Sequence, residues 1–337
     1  MKAVGYKKSL PISEPEALLD VDIAKPIATG HDILVNIKAI SVNPVDTKVR
    51  KRAEPEEGDI KILGWDAVGL VQEVGDKVTL FKKGDEVWYA GAVNRQGTNA
   101  EYHVVDERIV SKKPDSLDNA NAAALPLTSI TAWEILFDRL AIKRGTEKTR
   151  DVLLIIGAAG GVGSILTQLA SKLTGATVIG TASRKESIQW VKNNGADYVI
   201  DHKKPFVDEL KQIGIDNVTH VASLIRSDLH LQQTVEVMKP FGKIAMIDDP
   251  GAIDFTQLKT KSISLHWELM FTRSLFQTDD MIEQHNLLEE VARLVDSGVI
   301  KTTVKQNFGI INAENLKWAH SLLESGKARG KIVLEGF

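Results

Sequence analysis

No cysteine occurs among the 337 residues. Disulfide cross-links, a thiol nucleophile and every zinc centre that needs cysteine ligands are thereby excluded. An excess of charge of one sign is also missing. The 42 Lys and Arg against 45 Asp and Glu leave a net charge of −3 with His neutral, which argues against nucleic acid as the main partner. Long hydrophobic runs are lacking as well. The most apolar ones, such as Val152 to Ile156, are far too short to cross a bilayer. The opening MKAVGYKKSL has no apolar stretch of signal-peptide length. A soluble, cytoplasmic protein without a membrane or nucleic-acid partner is expected. The one basic run, Lys48, Arg50, Lys51 and Arg52, is followed at once by Glu54, Glu56, Glu57 and Asp59 and reads as a solvated face of mixed charge.

What is present is an ordinary globular composition, 43% hydrophobic and 26% charged. At roughly 150 residues per domain this length suggests two domains. The first stretch reads as short strands separated by Gly, Pro and Asp turns. Examples are Asp32 to Ile40, Val68 to Val74 and Glu86 to Tyr89, with turns at Gly75-Asp76 and Gly84-Asp85. Near Asn119 the pattern changes to a long Ala- and Leu-rich helix reaching Leu140, with Pro126 as a kink or early-turn residue. From Asp151 onward apolar runs alternate with amphipathic helices: strands over 153–156, 177–180, 198–200, 218–224 and 243–247, and helices over 161–173, 185–193, 206–213 and 228–238. Such alternation indicates βαβ crossovers and a parallel, doubly wound sheet. A further helix over 279–295 fits that repeat poorly, and the tail is expected to return to the β domain.

The strongest motif is IIGAAGGVG at 155–163, placed between a buried strand and a helix. In this context Gly157 permits a tight turn, and Gly160 and Gly161 let the backbone approach a pyrophosphate. Gly163 allows close helix–strand packing. Ala159 and Val162 complete the turn, whose helix N-terminus offers N–H groups to the phosphates. A strand selecting NAD would end in an acid about 20 positions further on. Ser183 stands there, followed by Arg184 and Lys185, with no acid before Glu186. A guanidinium suits a 2′-phosphate, and NADPH is the expected cofactor. His202, after the third strand, is expected against the adenine.

These residues, with NPVDTKVR at 43–50, LGWDAVG at 63–69, VGDKVTLFKKGDEVW at 74–88, AALPLTSITAWE at 123–134, GADYVIDH at 195–202, FGKIAMI at 241–247 and GKARGKIVL at 326–334, resemble the medium-chain dehydrogenase/reductase superfamily. Within it the similarity is to the quinone oxidoreductase (zeta-crystallin-like) branch and to bacterial zinc-type alcohol dehydrogenase-like proteins. The resemblance implies an α/β fold: a GroES-like β domain made of 1–122 and 275–337, and a Rossmann domain over 123–274. It implies a cleft where nicotinamide meets Asn43, Trp65 and Thr128, and a homodimer joined near Ser262 to Trp267. Zinc-dependent relatives place a Cys where Asn43 stands and a His-Glu pair where Trp65 and Asp66 stand, so no metal is expected. None of the eight histidines has ligand spacing with a nearby acid.

The expected reaction is hydride transfer to a quinone or an α,β-unsaturated carbonyl, with the Asn43 amide among the stabilisers of the developing negative charge. Trp65 is either an apolar wall over a planar substrate or core packing. Thr128 either bonds the nicotinamide amide or caps its helix. Asp46 and Arg50 read as a structural ion pair. The alternatives are a zinc-binding alcohol dehydrogenase-type enzyme and a non-catalytic NADPH-binding or redox-sensing protein.

Overall fold

The computed structural model describes all 337 residues. They form two compact units: Met1–Ile130 together with Phe271–Phe337, and Thr131–Met270. No helix is long and apolar enough to cross a membrane.

The first unit is built on two sheets. The larger has seven strands. Its path runs Val304–Asn307, Lys331–Glu335, Asp32–Val42, Asp66–Val74, Glu86–Ala90 and Val110–Lys112, and Tyr102–Asp106 also pairs with Asp32–Val42. Pairing is antiparallel apart from the first two strands. Alternation in Asp32–Val42 suggests one apolar side, carrying Ile33, Val35 and Ile37. The structure buries Leu34 as well, so both faces of this strand are covered there, and the strand pairs with both Asp66–Val74 and Tyr102–Asp106. Its register sets Ser41 opposite Asp66 and Val42 opposite Ile332. Three strands distant in sequence therefore end around one point.

The second unit is a six-stranded parallel sheet in the order Tyr198–Ile200, Thr177–Thr181, Val152–Ile156, Val218–Ser223, Met238–Met246, Ser264–Trp267. Helices Gly161–Leu173, Lys185–Asn193, Phe206–Gln212 and Ser227–Val237 make the crossovers. Leu154, Ile156, Ile179, Ile200, Val221, Ile244 and Met246 form a core with Phe206 and Leu210, the near-continuous apolar strands that a sheet covered on both faces requires.

The long helix expected over 119–140 is broken. Asn119–Ala123 and Pro126–Trp133 are separate helices, followed by a wider π turn over Glu134–Arg139. Pro126 has no N–H to give, and its ring clashes with the preceding turn, so it opens the second helix instead of continuing the first. The 279–295 helix begins later, as Glu283–Asp296. The strand expected at 243–247 starts earlier, as Met238–Met246, through an irregular segment in which Phe241 holds φ 64°.

Burial of histidine gives this fold an acid sensitivity. Burial holds His103 down to about 4 and His320 down to about 3, and lowers His202, His220, His230 and His266 as well. Folded, His103 and His320 stay neutral down to about those values, and the other four resist protonation. Unfolded, they take up a proton below about 6.5. The unfolded state then binds more protons, and stability falls with pH by about 1.4 kcal/mol per unit for each fully buried ring. Asp46 acts oppositely: burial pushes it up to about 7, so between about 3.9 and 7 it stays protonated when folded while the unfolded carboxyl ionises. Glu268, raised mainly by burial, acts in the same direction as Asp46, and against these two carboxyls stand His103, His320 and the four other lowered rings. Urea unfolding at pH 7.5, 6.0 and 5.0 is expected to give steadily lower midpoints below pH 6.5. Constant midpoints across that range would show that the rings are not buried neutral.

Candidate active site

In the second unit the glycine turn follows strand Val152–Ile156. Gly157 holds φ 88° and donates its N–H to Thr181 Oγ1 at 3.1 Å, which ties the turn to the end of the neighbouring strand. A Cβ on Gly163 would lie 2.4 Å from Gly157 O and 2.6 Å from Ala158 Cα, so helix and turn touch through their backbones. Gly180 is similar: a Cβ there would meet Val191 Cγ1 at 2.4 Å and Ala158 Cβ at 2.9 Å. Gly160, the helix N-cap, has room, with Gly157 O at 3.4 Å from an added Cβ, and no side chain caps the helix. Ala159, Gly160, Gly161 and Val162 remain partly accessible. An uncapped helix N-terminus approached by a side-chain-free backbone is suited to a pyrophosphate.

The next strand, Thr177–Thr181, leads through Ala182 to partly exposed Ser183 and exposed Arg184 and Lys185. Arg184 is the N-cap of helix Lys185–Asn193. His202 follows strand Tyr198–Ile200. Burial lowers it, Asp201 opposes that shift, and the positive charges of Lys203 and Arg184 add to it. Its ring centroid lies 6.1 Å from that of His230, edge to face. The glycine turn, the Ser183–Arg184 pair and His202 thus lie at the carboxyl ends of three adjacent strands, where open α/β sheets bind ligands.

In the first unit, Asn43 precedes helix Pro44–Arg52 and is buried. Its backbone N–H donates to Asp46 Oδ2 at 2.9 Å. Its amide nitrogen donates to Asp66 Oδ2 at 2.8 Å and reaches Ser41 O at 3.4 Å, and its amide oxygen accepts from Lys331 Nζ. Lys331 Nζ also donates to Val42 O at 3.2 Å and Asp66 Oδ2 at 3.1 Å. Asp66 accepts in addition from Ser41 Oγ at 3.2 Å and from the Leu127 N–H at 2.7 Å. Both members of this ion pair are buried, with side chains 3% and 0% exposed. Sequence reading marks Asp66 only as standing where relatives carry a zinc-site residue, and gives Lys331 no role. The available signal was an opposite charge at the head of each of two apolar runs, DAVGLV and KIVL.

Trp65 is fully buried. Its Nε1 donates to Ala92 O at 3.0 Å, and its ring meets Phe271 edge-on at 5.8 Å. Thr128 is also buried, and its hydroxyl lies 3.2 Å from Leu125 O and 3.4 Å from Ala124 O.

The expected Asp46–Arg50 ion pair does not form. Arg50, fully buried, bonds Leu10 O, Glu324 and His320 instead. Asp46 spends one oxygen on the Asn43 N–H and leaves the other, Oδ1, without a hydrogen-bond partner. Burial favours its neutral form, and the sequence-local partner loses to one 274 positions away.

Zinc does not fit this donor set. Asn43, Trp65 and Asp66 offer an amide already bonded on both sides, an indole N–H already donated and one carboxylate, and the chain has no cysteine. Nowhere in the chain do three or more His, Asp or Glu side chains converge as a ligand group.

Comparison with known proteins places the chain in a family. Residues 29–115 match the alcohol dehydrogenase GroES-like domain family, and residues 194–334 match the zinc-binding dehydrogenase family. The chain is 40% identical to a zinc-type alcohol dehydrogenase-like protein of Staphylococcus epidermidis, over 99% of both chains. A Rhizobium etli CFN 42 protein assigned to the zinc-dependent alcohol dehydrogenases superposes with TM-score 0.96 at 53% identity, covering 100% of this chain and 98% of that one. The Escherichia coli quinone oxidoreductase, solved with NADPH, superposes with TM-score 0.84 at 25% identity over 99% of this chain and 100% of its own.

Proposed function

The chain belongs to the medium-chain dehydrogenase/reductase superfamily, whose members are NAD(P)-dependent oxidoreductases, and from that premise we propose that it is an NADPH-dependent, zinc-free reductase of quinones or α,β-unsaturated carbonyls. One observation carries the reading. An uncapped helix N-terminus opens on a side-chain-free turn, and the strand beside it, ending at Thr181, is followed by Ser183 and Arg184 with no carboxylate before Glu186. The first feature takes a pyrophosphate. The second takes a 2′-phosphate and lacks the acid that would bond a free ribose 2′-OH.

When bound, the reduced nicotinamide supplies a hydride to an electron-poor carbon or quinone oxygen. The chain's own residues orient and exclude water. Gly157, Gly160, Gly161 and Gly163 seat the diphosphate, with Ala159 and Val162 as neighbours, and Ser183, Arg184 and Lys185 hold the 2′-phosphate. His202, whose partial burial favours its neutral form, stacks against the adenine. Asn43 acts through position: both hydrogens of its amide are already given to Asp66 and Ser41, so it fixes the backbone at 43–46. Trp65 is equally committed, to Ala92 O and the Phe271 ring, and packs the core beside Asp66. Thr128 gives its proton to the helix and can only accept, which suits an amide N–H. The resemblance further suggests a homodimer, joined along the free edge of strand Ser264–Trp267.

The test is a pair of titrations and one assay. NADPH should bind and be oxidised with 9,10-phenanthrenequinone, with little activity from NADH. Arg184→Ala is expected to weaken NADPH roughly tenfold, the loss of one charge-assisted hydrogen bond, and to leave NADH within twofold. Equal use of NADH by the wild-type protein would sink the Ser183–Arg184 argument. A second reading, tight NADPH binding without turnover, has one observation in its favour: no free side-chain donor remains on Asn43, Trp65 or Thr128. Absence of turnover across quinones, enones and aldehydes would establish it.

A further inference from the structure

The parallel strands run 3-2-1-4-5-6 from Tyr198–Ile200 to Ser264–Trp267. A sheet of this order is two mononucleotide-binding halves that meet where the order reverses, here between Val152–Ile156 and Val218–Ser223. The glycine turn and Ser183–Arg184 serve the first half. The second half, which takes the nicotinamide side, carries a different device at the carboxyl ends of its strands.

Three residues are linked there. Ser227 donates its backbone N–H to Asp248 Oδ2 at 2.8 Å and its hydroxyl to Asp248 Oδ1 at 2.5 Å. Ser223 Oγ lies 2.7 Å from Ser227 Oγ. Because the Ser227 proton is given to Asp248, Ser223 is the donor of that bond. Both serines are buried, and Asp248 is partly exposed. Asp248 follows strand Met238–Met246 and closes the N-terminus of helix Ser227–Val237, whose N-cap Arg226 holds φ 48° and supplies no side-chain cap. Two helices thus start at the same sheet edge. Gly161–Leu173 leaves its N-terminus open to a ligand anion. Ser227–Val237 has its own carboxylate in place, so the positive end of its dipole is already neutralised. The nearby cation, Arg226, is exposed and tied to Asp228 by bonds of 3.1 and 3.0 Å.

We infer that Asp248, held by Ser227 and Ser223, sets the charge preference of the nicotinamide side, favouring the oxidised, positively charged ring over the neutral reduced one. This rests on the NADPH reading and deepens it. Hydride donation converts a neutral dihydropyridine into a pyridinium cation, with the electron pair and the hydrogen leaving together for the acceptor. A fixed carboxylate at the carboxyl ends of the strands that take the nicotinamide half would stabilise that product charge, and in part the transition state. Asp248 is a positioning residue for charge, and its effect is read in binding before any turnover.

The experiment measures the dissociation constants of NADP+ and NADPH for the wild-type protein and for Asp248→Asn, by fluorescence titration at low salt. The 2′-phosphate is common to both ligands and cancels in their ratio. Asp248→Asn, which keeps a capping side chain, is expected to raise the NADP+ constant roughly fivefold to tenfold and the NADPH constant less than twofold. A tenfold change in the ratio corresponds to about 30 mV for a two-electron couple. Ser227→Ala, which keeps the charge, should move the ratio less than twofold, and Asp248→Glu should restore it. In the wild-type protein, raising the salt concentration should erode the preference. Equal weakening of both nucleotides in Asp248→Asn would reduce Asp248 to a helix cap and overturn the inference, as would an unmoved ratio. If the wild-type protein binds neither nucleotide, the NADPH reading falls and takes this inference with it. If it binds NADPH tightly while the ratio ignores Asp248, only the inference falls.

Discussion

Lys331→Met is expected to lower the thermal unfolding midpoint by roughly 10 °C, through a loss of about 3–5 kcal/mol. The physical reason is an uncompensated charge. Asp66 and Lys331 are both buried at 3.1 Å, and removing the ammonium leaves the carboxylate with only neutral donors, Ser41 Oγ, Asn43 Nδ2 and the Leu127 N–H. Val42 O and Asn43 Oδ1 lose their donor at the same time. The double variant Lys331→Met/Asp66→Asn removes the orphaned charge. Its carboxamide oxygen can still accept from the Leu127 N–H. It should recover at least half of the loss, because a buried pair replaced as a unit costs far less than one broken in half. Circular dichroism melts of the two variants decide the matter. A Lys331→Met protein melting within 2 °C of the wild type would mean that the pair is solvated, and that nothing holds Asn43 in the way described.

The parts of this molecule that were legible in the sequence are those whose cause is local. The βαβ alternation of the second unit shows because each buried strand and its covering helix are written within some thirty residues. The turn at 157–163 shows because each glycine answers a nearby backbone constraint: φ 88° at Gly157, and Ala158 and Gly157 O against Gly163. Pro126 shows as a punctuation mark, although whether it kinks a helix or starts one depends on what packs around it. What was not legible is non-local. Arg50 has an acid four residues before it, a spacing that suggests a pair, yet it is taken by Glu324 from the far end of the chain. Lys331 and Asp66 are 265 positions apart and meet only because Asp32–Val42 pairs with both their strands. The Asn43 amide looks like a free donor in sequence, and only the register that delivers Asp66 and Ser41 to it shows that it is spent. The charge carried by Asp248 was likewise hidden, since its meaning depends on which helix it closes.

Gly163→Val should abolish nucleotide binding, by at least a hundredfold, while Gly160→Ala should fold normally. Both residues belong to one motif, so composition predicts the same outcome for each. Geometry separates them. At Gly163 the first added carbon already falls 2.4 Å from Gly157 O and 2.6 Å from Ala158 Cα, and these are backbone atoms that cannot rotate away. Either helix Gly161–Leu173 withdraws from the strand end, or the turn opens and Gly157 loses its bond to Thr181 Oγ1. Each route moves the N–H groups that would face the pyrophosphate, and a displacement of about 1 Å is enough to cost two orders of magnitude in a site that works by fixed donors. The isopropyl group of valine adds overpacking of a further 1–3 kcal/mol. At Gly160 the same carbon sits 3.4 Å from Gly157 O, an ordinary contact, so the fold is unperturbed, and any weakening reports the ligand's own approach to that Cα. Calorimetric titration with NADPH, paired with melting curves, separates the two effects. Wild-type affinity in Gly163→Val would mean that the turn is not the nucleotide site, whatever else the second unit binds.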